Sequence, residues 1–337
     1  MKAVTPSSYE GNIVTTRVRI ARNLWGFPFS ATDERTAGDI VKKVNRALVK
    51  CGTFNLYYTR NLSDIDLMAM KAKHLISQAL IDNKDFGAAL VSADESVSVM
   101  VNEEDVIREQ CFMKGLRLFE AYKRIDAIDD ELSKNLDFAF DDDVGYLTAC
   151  PTNVGTGLRA SVMLFLPALS LSGKIKGVYS ELASQGLTVR GAYGEGSKGE
   201  GYMYQISNEV TLGLSEQSIL KIVEDAVLYV CALEREELGK LIARRELYVM
   251  DDAKKAYGLL TNAVMLTYDE FIDNIGKVKL GAMLGMLNVS DLESLDDLMI
   301  KAHPALIIKQ YGRPLSALDR DLFRAEIVSK KLEKLKE

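Results

Sequence analysis

The chain is poor in the residues that build metal sites and disulfide frameworks. It has two histidines, His74 and His303, and four cysteines, Cys51, Cys111, Cys150 and Cys231, far apart and without a CxxC pair. No Cys or His stands at zinc-ligand spacing, so no structural zinc is expected, and reduced thiols of a cytoplasmic protein are the expectation. Long apolar runs are missing too. The charge-free run after Arg159, Ala160 to Gly173, is interrupted by Pro167, whereas a membrane span needs roughly 20 apolar residues. The N-terminal MKAVTPSSYEG has no signal-peptide core. There is no excess of positive charge: 42 Lys+Arg stand against 48 Asp+Glu, a net charge of −6, which argues against coating nucleic acid or an anionic membrane. Familiar nucleotide motifs are absent, with no GxxxxGK[ST] and no HRD or DFG. Gly194 to Gly199 formally matches GxGxxG, but Tyr202-Met203-Tyr204-Gln205-Ile206 after it reads as a strand, where a dinucleotide fold needs a helix.

What is present is ordinary globular composition. The 337 residues are 47% hydrophobic and 27% charged, enough for a sizeable core and about two domains. Strand signals fill residues 10–210: FGAALVSA with SVSVMVN as a hairpin around Asp94-Glu95, VGYLTAC paired with LRASVMLFLP, then KGVYSELA, LTVRGAYG and GYMYQISN. Helix starts are marked by Ser63 before LMAMKAKHLI, Ser215-Glu216 before a long run, capping boxes at Thr267…Glu270 and Ser290…Glu293, and Ser316…Asp319 at the start of the last helix. The order predicts an α+β catalytic domain over 1–240 and a helical domain over 241–337. The acidic stretch Asp126 to Asp143 reads as a solvated helix and loop rather than a cation site.

Polar chemistry concentrates in TTRVRIARN (15–23), NEEDVIR (102–108), CPTNVGTGLRASV (150–162) and RGAYGEG (190–196), all beside strand ends or Gly turns. Arg17 and Arg19 alternate with Val18, so on a strand both point to one face. Arg108 follows two carboxylates, Arg159 follows a Gly-rich turn and Arg190 opens another. Singly, each is an ordinary surface ion pair. Converging on one cleft, five guanidinium forks would suit a triphosphate.

These strings, with CPTNVGTGLRAS the most specific, resemble the phosphagen (guanidino) kinase family over residues 10–237. The resemblance implies a glutamine-synthetase-like antiparallel sheet flanked by helices, and transfer of the γ-phosphoryl of MgATP to a guanidinium nitrogen. It assigns Glu104 and Glu195 to gripping the guanidinium and Cys150 as the thiolate beside it. Nucleotide contacts fall on Thr15, Thr16, Arg17, Val18 and Arg19, on His74 and Arg108, on Arg159, Ala160, Ser161, Val162 and Met163, and on Arg190, Gly191, Ala192, Tyr193 and Gly194. Mg2+ is held mainly by the phosphates, so no protein metal cage is expected. Val106 and Met163 depart from the family by standing where histidine is usual.

Arg17 is nearly at the N-terminus, so the helical domain that precedes this string in small-molecule guanidino kinases is expected to be missing. A site without that lid would admit an arginine side chain of another protein. At the other end, Arg320-Asp321-Leu322-Phe323-Arg324-Ala325 puts Arg320 and Arg324 on one helical face with Asp321 beside them. Spacing alone makes this a solvated face. RDLFRA also resembles the allosteric phosphoarginine pocket of bacterial protein-arginine kinases, with Arg320, Asp321 and Arg324 as its binding residues. That resemblance implies arginine phosphorylation of proteins in stress response, a homodimer, and work with a zinc-binding activator protein, a heat-shock repressor and the Clp protease, with neither nucleic acid nor membrane bound directly. The alternatives are a free-arginine kinase and a non-catalytic phosphoarginine-binding adaptor.

Overall fold

The computed structural model describes residues 11–29, 33–191, 199–289 and 291–335. Its strands are β1 (Ile13–Arg22), β2 (Phe54–Tyr58), β3 (Ala88–Ser92), β4 (Val97–Val101), β5 (Ile107–Lys114), β6 (Phe140–Asp141), β7 (Gly145–Tyr146), β8 (Leu158–Phe165), β9 (Leu187–Gly191) and β10 (Met203–Asn208). Eight form one sheet in the order β2-β3-β4-β5-β1-β8-β10-β9, and β6 and β7 form a separate ribbon. Every pairing is antiparallel.

The helices are α1 (Glu34–Leu48), α2 (Asp64–Ala72), α3 (Gln78–Asp82), α4 (Leu118–Ser133), α5 (Pro167–Leu171), α6 (Ile175–Ala183), α7 (Glu216–Asn262), α8 (Tyr268–Met283), α9 (Leu292–Lys301), α10 (Pro304–Tyr311) and α11 (Ala317–Lys334). Period-two alternation gives the central strands two unlike faces. Val18 and Ile20 of β1, with Ala160, Val162 and Leu164 of β8, enter the main core beneath α1, α4 and the first part of α7. Arg17, Arg19, Arg159 and Met163 take the other face. A second core joins the end of β8 to the later part of α7 and to α8, α9 and α11.

The boundary expected at 240 falls inside α7. This helix, about 70 Å long at 1.5 Å per residue, runs from the sheet core into the second core and leaves helical geometry at Arg245 (φ −139°, ψ 24°). The two regions are joined by a helix, not a linker.

Several local expectations are corrected. KGVYSELA lies in helix α6, because Ile175, Val178 and Leu182 recur at helical spacing and bury one face. VGYLTAC contributes only β7, which pairs with β6 and not with β8. The run after Ser63 stops at Ala72, since His74 adopts a left-handed φ of 59°. The helix expected to open with a box at Ser290 is capped by Asp291, whose carboxylate accepts from the Ser294 amide; Ser290 itself lies outside the described residues. Thr267 and Ser316 do open capping boxes. The acidic stretch is not uniformly solvated: Asp129 is buried and bound bidentately by Arg22.

Candidate active site

Arg17 and Arg19 reach the open face of the sheet from β1, and Arg159 reaches it from β8. Arg19 stands directly across from Arg159 in the ladder, and Arg17 across from Ser161. Like charges directly opposite one another destabilise a sheet. These two are not relieved by local acceptors: the Nε atoms of Arg19 and Arg159 are both buried without a hydrogen-bond partner. Arg190, from β9, joins them around a cavity of about 210 Å³. Enclosure first, and then the charges of Arg159 and Arg108, lower Arg17 to about 10. Arg19 and Arg159 are pushed down for the same two reasons. A cluster of cations with buried, unpaired N–H donors suits an anionic ligand.

Arg108 borders the group from β5, and its partners are local. Its Nη1 donates to Glu103 at 2.6 Å and its Nη2 to Glu104 at 3.1 Å. Glu103 is fully buried and also accepts from Ser77, whereas the Glu104 side chain is 45% exposed. Glu103 therefore anchors Arg108, and Glu104 is the carboxylate free to meet a second guanidinium. Cys150 is half-buried, with its Sγ 3.0 Å from Thr152 Oγ1. Cys111 and Cys231, by contrast, are sealed in the core, where burial raises their thiols to about 11 and about 12.

Glu104 and Cys150 sit on different loops, and Asp105 ties the loops together. Its Oδ1 accepts from the Ala149 amide at 2.7 Å and from Asn23 Nδ2 at 2.8 Å. Asn23 donates in addition to the Leu147 carbonyl and accepts from the Val106 amide. Residues adjacent to Glu104 and to Cys150 are thus fixed to one another through the end of β1. Sequence reasoning missed these roles for Glu103, Asp105 and Asn23. They lay within quoted strings, but no spacing signals a bond between loops distant in the chain. The glycines of CPTNVGTG have a steric reason: a Cβ on Gly155 would meet the Thr211 carbonyl at 2.6 Å, and one on Gly157 the Ala21 carbonyl at 2.6 Å.

The remaining expected residues divide. Thr15, Ser161, Met163 and His74 line a larger cavity of about 870 Å³, which shares Arg17, Met163 and Gln205 with the arginine cavity. His74 faces this space. The cleft walls first, and then the charge of Arg17, push its imidazole below its ordinary range, so it is neutral at pH 7. Thr16, Val18, Ala160 and Val162 point to the opposite face and are fully buried, because neighbours on a strand alternate; their side chains cannot touch a ligand in the cleft. Gly191 ends β9 and lines the arginine cavity. Ala192, Tyr193, Gly194 and Glu195 lie outside the described residues.

RDLFRA departs from the solvated face that its spacing alone implies: Arg324 is 1% exposed and donates to the carbonyls of Ala302 at 2.9 Å and Leu266 at 2.8 Å, and to Asp321 Oδ1 at 2.7 Å. Arg324 turns into the second core because a desolvated guanidinium takes acceptors wherever backbone carbonyls offer them, and Asp321 is occupied by it.

Comparison with known proteins agrees with this architecture. A duplicated taurocyamine kinase from Schistosoma mansoni, solved with bound transition-state-analogue components, superposes with a TM-score of 0.61 at 29% identity, covering 69% of this chain and 34% of that one. A lombricine kinase shares the fold at a TM-score of 0.60 and 23% identity, covering 71% and 70%. Residues 38–237 match the family model described as the C-terminal catalytic domain of ATP:guanido phosphotransferases, and residues 246–337 match the C-terminal domain of the protein-arginine kinase McsB. The protein-arginine kinase of Caldanaerobacter subterraneus subsp. tengcongensis is 39% identical over 96% of this chain and 97% of its own length. That of Clostridium kluyveri is 42% identical over 96% and 95%. The chain belongs to the ATP:guanido phosphotransferases and, among them, to the protein-arginine kinases.

Proposed function

We propose that this protein transfers the terminal phosphoryl group of ATP to arginine side chains of other proteins. The observation that carries the reading is the arginine cleft: Arg17, Arg19, Arg159 and Arg190 around one cavity, with two buried Nε donors unpaired, next to the tethered loops of Glu104 and Cys150. The match of residues 246–337 to the protein-arginine kinase C-terminal domain favours a protein-borne acceptor over a free one.

A guanidinium is a weak nucleophile because it stays protonated at neutral pH. Glu104 orients it, and with Glu195 places electron density on one nitrogen. That nitrogen forms the N–P bond as the bond from phosphorus to the β,γ-bridging oxygen breaks. A carboxylate takes the proton released from nitrogen, and ADP leaves with the bridging electron pair. The arginines neutralise charge spread over the equatorial oxygens, so positioning and electrostatics supply most of the catalysis. The smaller cavity is lined by four arginines, so Mg2+ would be carried by the phosphates and water, where it would neutralise charge on the nucleotide.

The finer expectations belong to the same proposal: a zinc-binding activator, a heat-shock repressor and Clp-dependent degradation as its setting, phosphoarginine at RDLFRA, and a homodimer. The dimer has a physical basis in exposed Val264, Met265, Leu318 and Leu322 of the helical region. Among the described residues no helix is long and apolar enough to cross a membrane.

The test is mass spectrometry, under conditions that preserve acid-labile phosphoarginine, after incubation with MgATP and either casein or free arginine. Phosphoarginine on casein is the expected result. Product on free arginine alone would make this a small-molecule kinase, and no product would leave a binding protein.

A further inference from the structure

The larger cavity has two unlike walls contributed by the two regions of the molecule. One is the open face of the sheet, with Ser161, Met163, Met203 and Gln205. The other is a single face of α9, formed by Leu292, Glu293, Asp296, Asp297, Met299 and Ile300. Those positions recur at i, i+4 and i+7 or i+8, the spacing of one helical face. The helix is held firmly. Buried Lys279 pairs with Asp296 and lies 4.8 Å from the ring centroid of Phe165 on β8. Lys114 at the end of β5 bonds Glu293 at 2.9 Å. At the other end, the carbonyl of the C-cap residue Ala302 accepts from Arg324.

Charge then orients whatever enters. The arginine end is strongly positive. At the α9 end Glu293 and Asp297 are paired with Lys114 and Asp296 with Lys279, so the charges there are balanced, beside the apolar Leu292, Met299 and Ile300. A polyphosphate is drawn to the first end, where the guanidinium groups gather, and not to the second, where Lys73, Lys114, Lys279 and Arg117 are already paired with carboxylates. A flat uncharged group attached to it, with donors at its edge, fits the second. The volume of about 870 Å³ is in the range of small-molecule sites.

We propose that helix α9 of the C-terminal region is the nucleoside wall of the nucleotide cleft, its apolar residues covering the base against Met163 and Met203 while the phosphates occupy the arginine cavity. The helical region is then part of the ATP site as well as an appended module. This rests on the reading of the cleft as the ATP site.

Calorimetry on the full chain separates the two claims by comparing ATP with inorganic tripolyphosphate, each with Mg2+. Leu292→Ala with Ile300→Ala, both half-buried side chains, weakens ATP at least tenfold and leaves tripolyphosphate within a factor of two. Arg159→Ala weakens both ligands. Equal effects of the α9 variant on both ligands, or none on ATP, overturn the proposal; an Arg159→Ala chain that binds both ligands normally overturns the underlying ATP reading instead. Photolabelling of the unmodified protein with 2-azido-ATP gives a readout independent of any folding defect. Label within residues 291–301 is the expected result, and label confined to sheet peptides contradicts it.

Discussion

Arg159 and Arg324 are both arginines drawn out of bulk water, yet the protein treats them in opposite ways. Arg159 faces Arg19 across the sheet and keeps a buried Nε with no acceptor. Arg324 is buried more completely and is supplied with two carbonyls and a carboxylate. The first arrangement is costly without a ligand; the second is complete without one. The difference teaches that an arginine in a motif is read by what is left unpaired around it, since the side chain chemistry is the same in both places. In the sheet region the unpaired donors converge. In the helical region the guanidinium fastens α11 to the end of α9 and to Leu266, two residues before α8.

The largest effect sharpens the catalytic side of this contrast. Glu104→Gln should fold normally, because the carboxylate is half exposed, and should lower single-turnover phosphorylation of casein by 10²–10⁴, roughly 3–5 kcal/mol of barrier. A rate within threefold of the native enzyme removes Glu104 from the mechanism.

The next prediction tests the contrast itself. Arg324→Ala leaves Asp321 and two carbonyls without their donor, so unfolding in urea should show a loss of about 3–5 kcal/mol, the usual cost of breaking a buried pair on one side. Arg159→Ala relieves a cross-strand repulsion and should leave stability unchanged or raise it by up to about 1 kcal/mol. Equal losses in the two variants would erase the distinction. For the same reason Arg320→Ala, which spares the core, is the better probe of phosphoarginine binding at RDLFRA.

A smaller effect belongs to loop positioning. Asp105→Ala frees Ala149 and the Asn23 amide, and an ångström of displacement between reacting groups is enough to cost about tenfold or more in rate. The expected signature is a lower kcat with ATP affinity, measured by calorimetry, unaltered. Weakened ATP binding at native kcat would show that Asp105 serves the nucleotide side instead.

The last prediction lies away from the site. Burial raises the Glu234 carboxyl from its ordinary 4.5 to about 7, against the opposing effect of the Leu169 and Ala168 amides it accepts from. A carboxyl raised by folding is bound more tightly when neutral. Its contribution is full below pH 4.5 and is lost as pH rises through 7. Glu234→Gln stays neutral throughout, so its stability relative to the native chain should improve between pH 5 and pH 8, by at most roughly 3 kcal/mol. A constant difference in urea unfolding across that range would mean that Glu234 ionises freely in the fold.

Much of the site was legible because the informative residues are local. Period-two alternation put Arg17 and Arg19 on one face before any coordinates, and the same rule sends Val18, Ala160 and Val162 into the core. Capping at Thr267 and Ser316 was legible because an N-cap and its N3 partner are three residues apart. KGVYSELA was misread because in a short apolar run the strand and helix periods overlap, and the burial of Ile175, Val178 and Leu182 against the sheet decided between them.

By itself the sequence determined the position of several strands, most helix starts and the chemical character of the cleft, all set by neighbours along the chain, while the antiparallel sheet was implied by the family resemblance. Only the tertiary structure decided that, among the described residues, the Arg159 Nε lacks an acceptor while Arg324 has three, that Asp105 joins the loops of Glu104 and Cys150, and that α9 lines the larger cavity. Each of these is a contact between residues far apart in sequence, and whether a buried polar group is satisfied depends on what the rest of the fold brings to it.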